Sequence, residues 1–403
     1  MRSTRSIIIA LTFVVVGCAR THDLANFRDA GTQARGSIHT VKQIGGHSAP
    51  ALRFMVAMAG LPERAEVKCG VRLYRIEYWT ERYDGKPTVA SGLVAVPRTD
   101  TFKGVVSYQH GTSSNRHEAP SQPSEEGVLL SAMFAGGGFL CVAPDYIGLG
   151  SSRELHPYMH APSTVNAVVD LLKAAHAFVL AENQAWSGPL FLTGFSQGGH
   201  ATVAAQRELE SMNDPRFHVV ASAPVAGAYD LDRISFPVAL EGSDTSHSLY
   251  LGYMANAYST IYGQPIESII EAPYAESIPK VFDGEHSEEE VEAGLAPKPR
   301  PMFGKQFLDD YDHGRPTWLL KAIAENESYQ YKPNAPIRMY YGDADKDVSP
   351  ADSIAAAEAM RALGGDVTAI STGNYDHVGS IVHAIVPIRR WFDEIAAGAA
   401  NRK

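Results

Sequence analysis

The sequence has little cysteine, no surplus of positive charge and, at its N-terminus, only an apolar run too short to cross a bilayer. Three cysteines in 403 residues, Cys18, Cys69 and Cys141, cannot supply a disulfide framework. Lysine and arginine total 35 against 45 aspartate and glutamate, a net charge of −10, and no basic cluster interrupts this balance. A nucleic-acid partner is therefore excluded. The apolar stretch from Ile7 to Val16 is half of the ~20 residues that a membrane-spanning helix needs. Fixed-period repeats and low-complexity tracts are also missing. At this length the chain accommodates two average domains, or one large α/β domain with an insertion.

What the first residues do contain is a targeting pattern. Arg2 and Arg5 precede the apolar stretch, which reads as a signal peptide over 1–17. It ends in Val15-Val16-Gly17-Cys18, a run that resembles a bacterial lipobox. The expectation is an exported protein whose Cys18 carries lipid and holds it to a membrane of the bacterial cell envelope; plain secretion is the alternative. Residues 18–45 are polar and glycine-rich and read as a tether. Cys69 and Cys141 fall in or beside apparent strands and read as buried free thiols rather than a pair.

Beyond the tether, Val71 to Trp79 and Thr88 to Val96 alternate as two antiparallel strands around the turn Tyr83-Asp84-Gly85-Lys86. Short buried strands then alternate with helices: Gly104 to Tyr108, Phe139 to Ala143, Pro189 to Leu192 and Val219 to Val225, with a helix over Val165 to Leu180. From there to about Pro336 the texture is helical, and Ser287-Glu288-Glu289-Glu290 has the form of a capping box. Alternation resumes with Ile337 to Tyr341, Val367 to Ser371 and a closing helix from Val378. The predicted architecture is α/β, a mostly parallel sheet flanked by helices, with its core in 46–230 and 336–403. Residues 231–335 form an inserted helical cap over the C-terminal edge of the sheet.

The chemistry gathers around Gly194-Phe195-Ser196-Gln197-Gly198, a G-x-S-x-G run between a strand and a helix. Such a turn holds a serine hydroxyl out where a base can reach it. A serine needs that base, and the base needs an orienting acid. In this arrangement they follow in the order Ser, Asp/Glu, His, each just after a strand. Asp345 in Gly342-Asp343-Ala344-Asp345-Lys346-Asp347-Val348 and His377 after the last strand take those places. Asp343 and Asp347 read as structural neighbours, bonding backbone N–H groups at the strand end and ahead of the next helix. The aspartate trio is not a calcium loop, because Val348 and Ile354 stand where glycine and glutamate are required. The oxyanion donors are predicted as the N–H groups of Gln197 and Thr112, the latter in Gln109-His110-Gly111-Thr112. His110 shapes that loop, Asp145 is structural, and His156 with His160 lacks a third ligand, so no metal site is predicted.

Together the Gln109–Thr112 loop, the Ala143–Gly150 run, the Gly194–Gly199 turn, the Gly342-x-x-Asp345-x-x-Val348 run and His377 resemble an α/β-hydrolase. Within that superfamily the chain is similar to the secretory lipase, or lipase A-like, family over roughly residues 67–395. The resemblance implies a Ser196–His377–Asp345 esterase or lipase without cofactor or metal, acting on small-molecule or lipid esters. Its oxyanion loop departs from the HGGG type. A serine peptidase or acyltransferase on the same triad, and a non-catalytic surface protein on this fold, are the alternatives.

Overall fold

The computed structural model describes residues 33–58, 66–186 and 188–400. The expected signal peptide, the Cys18 expected to carry lipid and most of the expected tether lie outside the described residues. The last part of the expected tether is not a tether. Ile38–His47 is strand β1, paired antiparallel with β2, Val71–Glu81. Among its ten residues only Val41 is buried, so this edge strand carries almost no hydrophobic alternation by which to be recognised.

Helix α1 (Ala49–Met58) follows β1, and β3 (Pro87–Pro97) returns along β2. The parallel part begins with β4 (Val105–Gln109), α2 (Glu125–Met133) and β5 (Leu140–Pro144). It continues with α3 (Ala161–Ala181), β6 (Leu190–Phe195), α4 (Gln197–Met212) and β7 (Val219–Val225). Six cap helices come next: α5 (Phe236–Leu240), α6 (Thr245–Ile261), α7 (Tyr274–Val281), α8 (Glu288–Ala293), α9 (Lys305–Asp312) and α10 (Trp318–Glu325). Strand β8 (Ile337–Tyr341), α11 (Pro350–Ala362), β9 (Val367–Ser371) and α12 (His377–Ala400) complete the chain.

The sheet order is β1-β2-β3-β5-β4-β6-β7-β8-β9. The first three strands are antiparallel, and from β5 onward every pairing is parallel. Every residue of β4 and β5 is buried, as expected of strands covered on both faces. The pleat sends alternate side chains to opposite cores. Val106, Cys141 and Phe191 meet α1, α2 and α12 on one side. Val105, Leu140, Val142 and Leu192 meet α3 and α4 on the other. Helix α3 is apolar enough to cross a membrane by composition, but 67% of its hydropathic window is buried inside this second core.

From β4 the chain passes to one side for β5 and to the other for β6. That reversal opens a crevice at the C-terminal ends of the strands, the place where open α/β sheets bind ligands. The cap has a hydrophobic core of its own, running from Leu231 to Ile323 and taking in Tyr158 and Met159 from the loop after β5. The Ser287 hydroxyl and the Glu290 side chain make the reciprocal bonds of a capping box at α8.

Candidate active site

Four loops at the C-terminal strand ends bring the site together. Ser196 stands at the turn from β6 into α4 with φ +57° and ψ −120°, a conformation that an L-residue holds only under constraint. The constraint comes from its neighbours. A Cβ on Gly198 would run into the Gln109 carbonyl, and one on Gly194 into the Gly198 carbonyl. Only glycines let β6, the turn and the β4 loop approach this closely. The Ser196 N–H is fixed by the Val225 carbonyl at 2.9 Å.

Seated this way, the Ser196 hydroxyl lies 2.9 Å from His377 Nε2. His377 Nδ1 lies 2.8 Å from Asp345 Oδ2. All three residues are buried. The second Asp345 oxygen accepts the backbone N–H groups of Asp347 and Val348, each at 3.0 Å. The carboxylate is thus satisfied on both oxygens, which fixes the imidazole through Nδ1. The Phe195 ring packs against the other side of His377, centroids 4.6 Å apart. Hydroxyl, imidazole and carboxylate in line form a proton relay able to generate an alkoxide nucleophile.

The loop after β4 packs directly on this turn. A Cβ on Gly111 would stand 3.3 Å from the Phe195 ring. Thr112 follows, its hydroxyl 3.0 Å from the Tyr158 hydroxyl. Neither the Thr112 nor the Gln197 backbone N–H has an acceptor among the described residues. His110 lies between the Gly111 and Asp145 carbonyls, and burial lowers its pKa. Asp145 accepts the Ser121 N–H and the hydroxyls of Ser91 and Ser121. His156 meets the Ile147 carbonyl through Nδ1 at 2.8 Å. Its Nε2 lies 2.9 Å from Gln197 Nε2, and burial lowers its pKa to about 4. That tether on the residue after Ser196 had no signal in the sequence, since 41 positions separate the two side chains.

The two neighbours of Asp345 behave differently from expectation. Asp343 accepts the Ser371 hydroxyl at the end of β9 rather than a nearby backbone N–H. Asp347 does not serve the next helix, where the Ser349 hydroxyl takes the Ala351 N–H instead. Its carboxyl faces the space beside Ser196, and burial raises its pKa. Asp347 and its neighbours also bring ligand atoms of Asp345, Asp347 and His377, and of Asp244, His247 and Asp347, within 4.8 Å of one another. In each set the histidine is hydrogen-bonded to one aspartate, His377 to Asp345 and His247 to Asp244.

Beside Ser196 lies a narrow cavity, part of it open to solvent. The cap supplies half of its lining, including Leu231, Phe236, Tyr250, Leu251 and Met254. The apolar stripe of α6 is divided between two tasks. Leu251 and Met254 reach the cavity, whereas Tyr258 is buried in the cap with its hydroxyl on the Met159 carbonyl. Cys69 and Cys141 are free thiols, and burial pushes that of Cys141 up to about 12.

Known structures share this architecture. A candidate hydrolase from Legionella pneumophila superposes with a TM-score of 0.82 at 28% identity, covering 89% of this chain and 98% of that one. The rice cell wall degrading esterase LipA of Xanthomonas oryzae superposes with a TM-score of 0.80 at 26% identity, over 89% and 98% of the two chains. The chain is an α/β-hydrolase. Candida antarctica lipase A in its closed state shares the fold with this hydrolase, with a TM-score of 0.65 at 13% identity over 92% and 84% of the chains. No family model and no curated protein matches the sequence.

Proposed function

We propose that this hydrolase cleaves carboxylic esters through an acyl-enzyme formed on Ser196. The observation that carries the reading is the unbroken contact from Asp345 through His377 to the Ser196 hydroxyl, at the edge of a cavity walled by apolar side chains. His377 takes the hydroxyl proton as Ser196 attacks the ester carbonyl, and the tetrahedral oxyanion receives the N–H groups of Gln197 and Thr112. Collapse expels the alcohol, which takes its proton from His377 and leaves an acyl group on Ser196. Water then repeats the sequence and releases the acid. Asp345 keeps the imidazole in the tautomer that can accept the proton. No step calls for a metal or organic cofactor.

The apolar wall suits a small-molecule or lipid ester better than a polypeptide. We further infer that the protein is exported and held at a membrane of the cell envelope by lipid on Cys18. Labelling with a fluorophosphonate probe, followed by turnover of p-nitrophenyl esters from acetate to palmitate, tests the catalytic reading. A chain that resists the probe and hydrolyses none of the esters is not this enzyme.

A further inference from the structure

The relay at Ser196 does not end at Asp345. Helix α6 of the cap opens with Asp244 as its N-cap, and His247 lies one turn in. His247 is 3% exposed. Gly242 leaves it room, since a Cβ there would collide with the ring. His247 Nδ1 stands 2.8 Å from Asp244 Oδ1, and Nε2 stands 2.9 Å from the Lys346 carbonyl oxygen in the loop between β8 and α11. That carbonyl shares one peptide group with the Asp347 N–H, which donates to Asp345 Oδ1 at 3.0 Å. The other Asp345 oxygen holds His377, and His377 meets Ser196. A single peptide therefore separates a cap imidazole from the acid of the relay.

We propose that His247 is a positioning residue through which the cap sets the Asp345 end of the Ser196–His377–Asp345 relay. The proposal rests on the ester-hydrolase reading above and adds a means by which the cap controls it. An N–H donated to a peptide carbonyl polarises that peptide, so its own N–H binds a carboxylate more strongly. It also fixes the peptide plane, and with it the direction of the bond to Asp345 Oδ1. His247 thereby acts on rate through geometry at a distance, without touching substrate.

The state of the imidazole matters to this link. A carbonyl and a carboxylate both only accept, and a neutral imidazole has one N–H, whereas imidazolium has two. The charged ring serves Asp244 and Lys346 together; the neutral ring leaves one of them unserved. Acidic groups face the ring from both the cap and the core. Asp244 lies on its own helix, and an Asp347 carboxylate oxygen lies within 4.8 Å across the cap–core junction. The Tyr250 ring, 6.3 Å away between centroids, is neutral because burial holds its hydroxyl well above the ordinary range. Asp345 stands beyond the bridging peptide.

The test compares the full-length wild type with His247→Ala and His247→Gln, whose amide N–H reaches toward Lys346 but does not titrate. The readouts are kcat and KM on one p-nitrophenyl ester from mildly acidic to alkaline pH, and the downfield proton NMR signal of the His377–Asp345 hydrogen bond. His247→Ala is expected to lower kcat about tenfold, ~1.4 kcal/mol in the barrier, with KM within about twofold, and to move the NMR signal. His247→Gln is expected to recover kcat to within about threefold of wild type, because its amide N–H can still donate to the Lys346 carbonyl. An alanine variant with wild-type kcat, pH profile and NMR signal overturns the proposal. If His247→Ala does not fold, the glutamine variant decides: a folded enzyme whose kcat falls more than about tenfold despite the amide N–H also overturns it. The ester-hydrolase reading fails separately, through a wild type that the fluorophosphonate probe does not label.

Discussion

Gly342 lies against the carbonyl oxygen of Tyr375 with no space for a side chain between them. The contact fastens the loop bearing Asp345 to the loop bearing His377. Two backbone bonds reinforce it, from the Asp343 N–H to the Gly373 carbonyl at 2.8 Å and from the Ala344 N–H to the Tyr375 carbonyl at 3.0 Å. Gly342→Ala should therefore push the loops apart. We expect a loss of about 1–3 kcal/mol in stability together with a fall in kcat, as for overpacking at a tight contact. Thermal melts and ester turnover measured on the same preparation check both.

Ser196→Ala should abolish ester hydrolysis and leave the fold in place, because the neighbouring glycines permit the turn and the hydroxyl does not shape it. Loss of the nucleophile costs on the order of 10⁴–10⁶ in kcat. A variant that is folded by circular dichroism yet retains a large share of the activity contradicts the mechanism.

Asp345→Asn and Asp343→Asn should separate cleanly. The first removes the charge that holds His377 in its working tautomer, at a cost on the order of 10⁴ in kcat. The second alters one hydrogen bond with the Ser371 hydroxyl, worth about 0.5–1.5 kcal/mol of stability, and should spare the rate. Paired melting temperatures and kcat values decide between these outcomes.

Buried Asp352 makes stability depend on pH. It accepts the Tyr229 and Asp230 N–H groups at 3.0 and 2.8 Å and the Ser235 hydroxyl, but burial raises its pKa to about 6. The folded state holds this proton more tightly than the unfolded state, so the group penalises folding once pH rises through about 6. The penalty is relieved as pH falls toward the unfolded carboxyl value. Asp352→Asn cannot ionise, so relative to wild type its melting temperature should be higher near neutral pH than in mild acid. A pH-independent difference between the two proteins excludes this role.

Cys18→Ser should abolish incorporation of a fatty-acid analogue in a bacterial host and release the protein from the membrane fraction. Equal membrane association of both forms points to plain secretion.

Much of this molecule is decided within short stretches of chain. The turn around Ser196 could be recognised because strand, glycines, serine and helix are contiguous, and each local preference agrees with the next. The buried strands β4, β5 and β6 are likewise visible as compact apolar runs, and the capping box at Ser287 needs only four residues. Other features depend on partners far along the chain. Strand β1 buries one side chain in ten, so it is a strand only because β2 lies beside it to take its hydrogen bonds. The sequence singled out three aspartates in one loop by spacing. Only the folded loop decides that Asp345 meets His377, that Asp343 turns to Ser371 and that Asp347 faces the cavity. The link from His247 to Lys346 joins residues 99 apart. Its physical cause is the docking of the cap on the acid loop, a packing of two surfaces that no local pattern along either segment encodes.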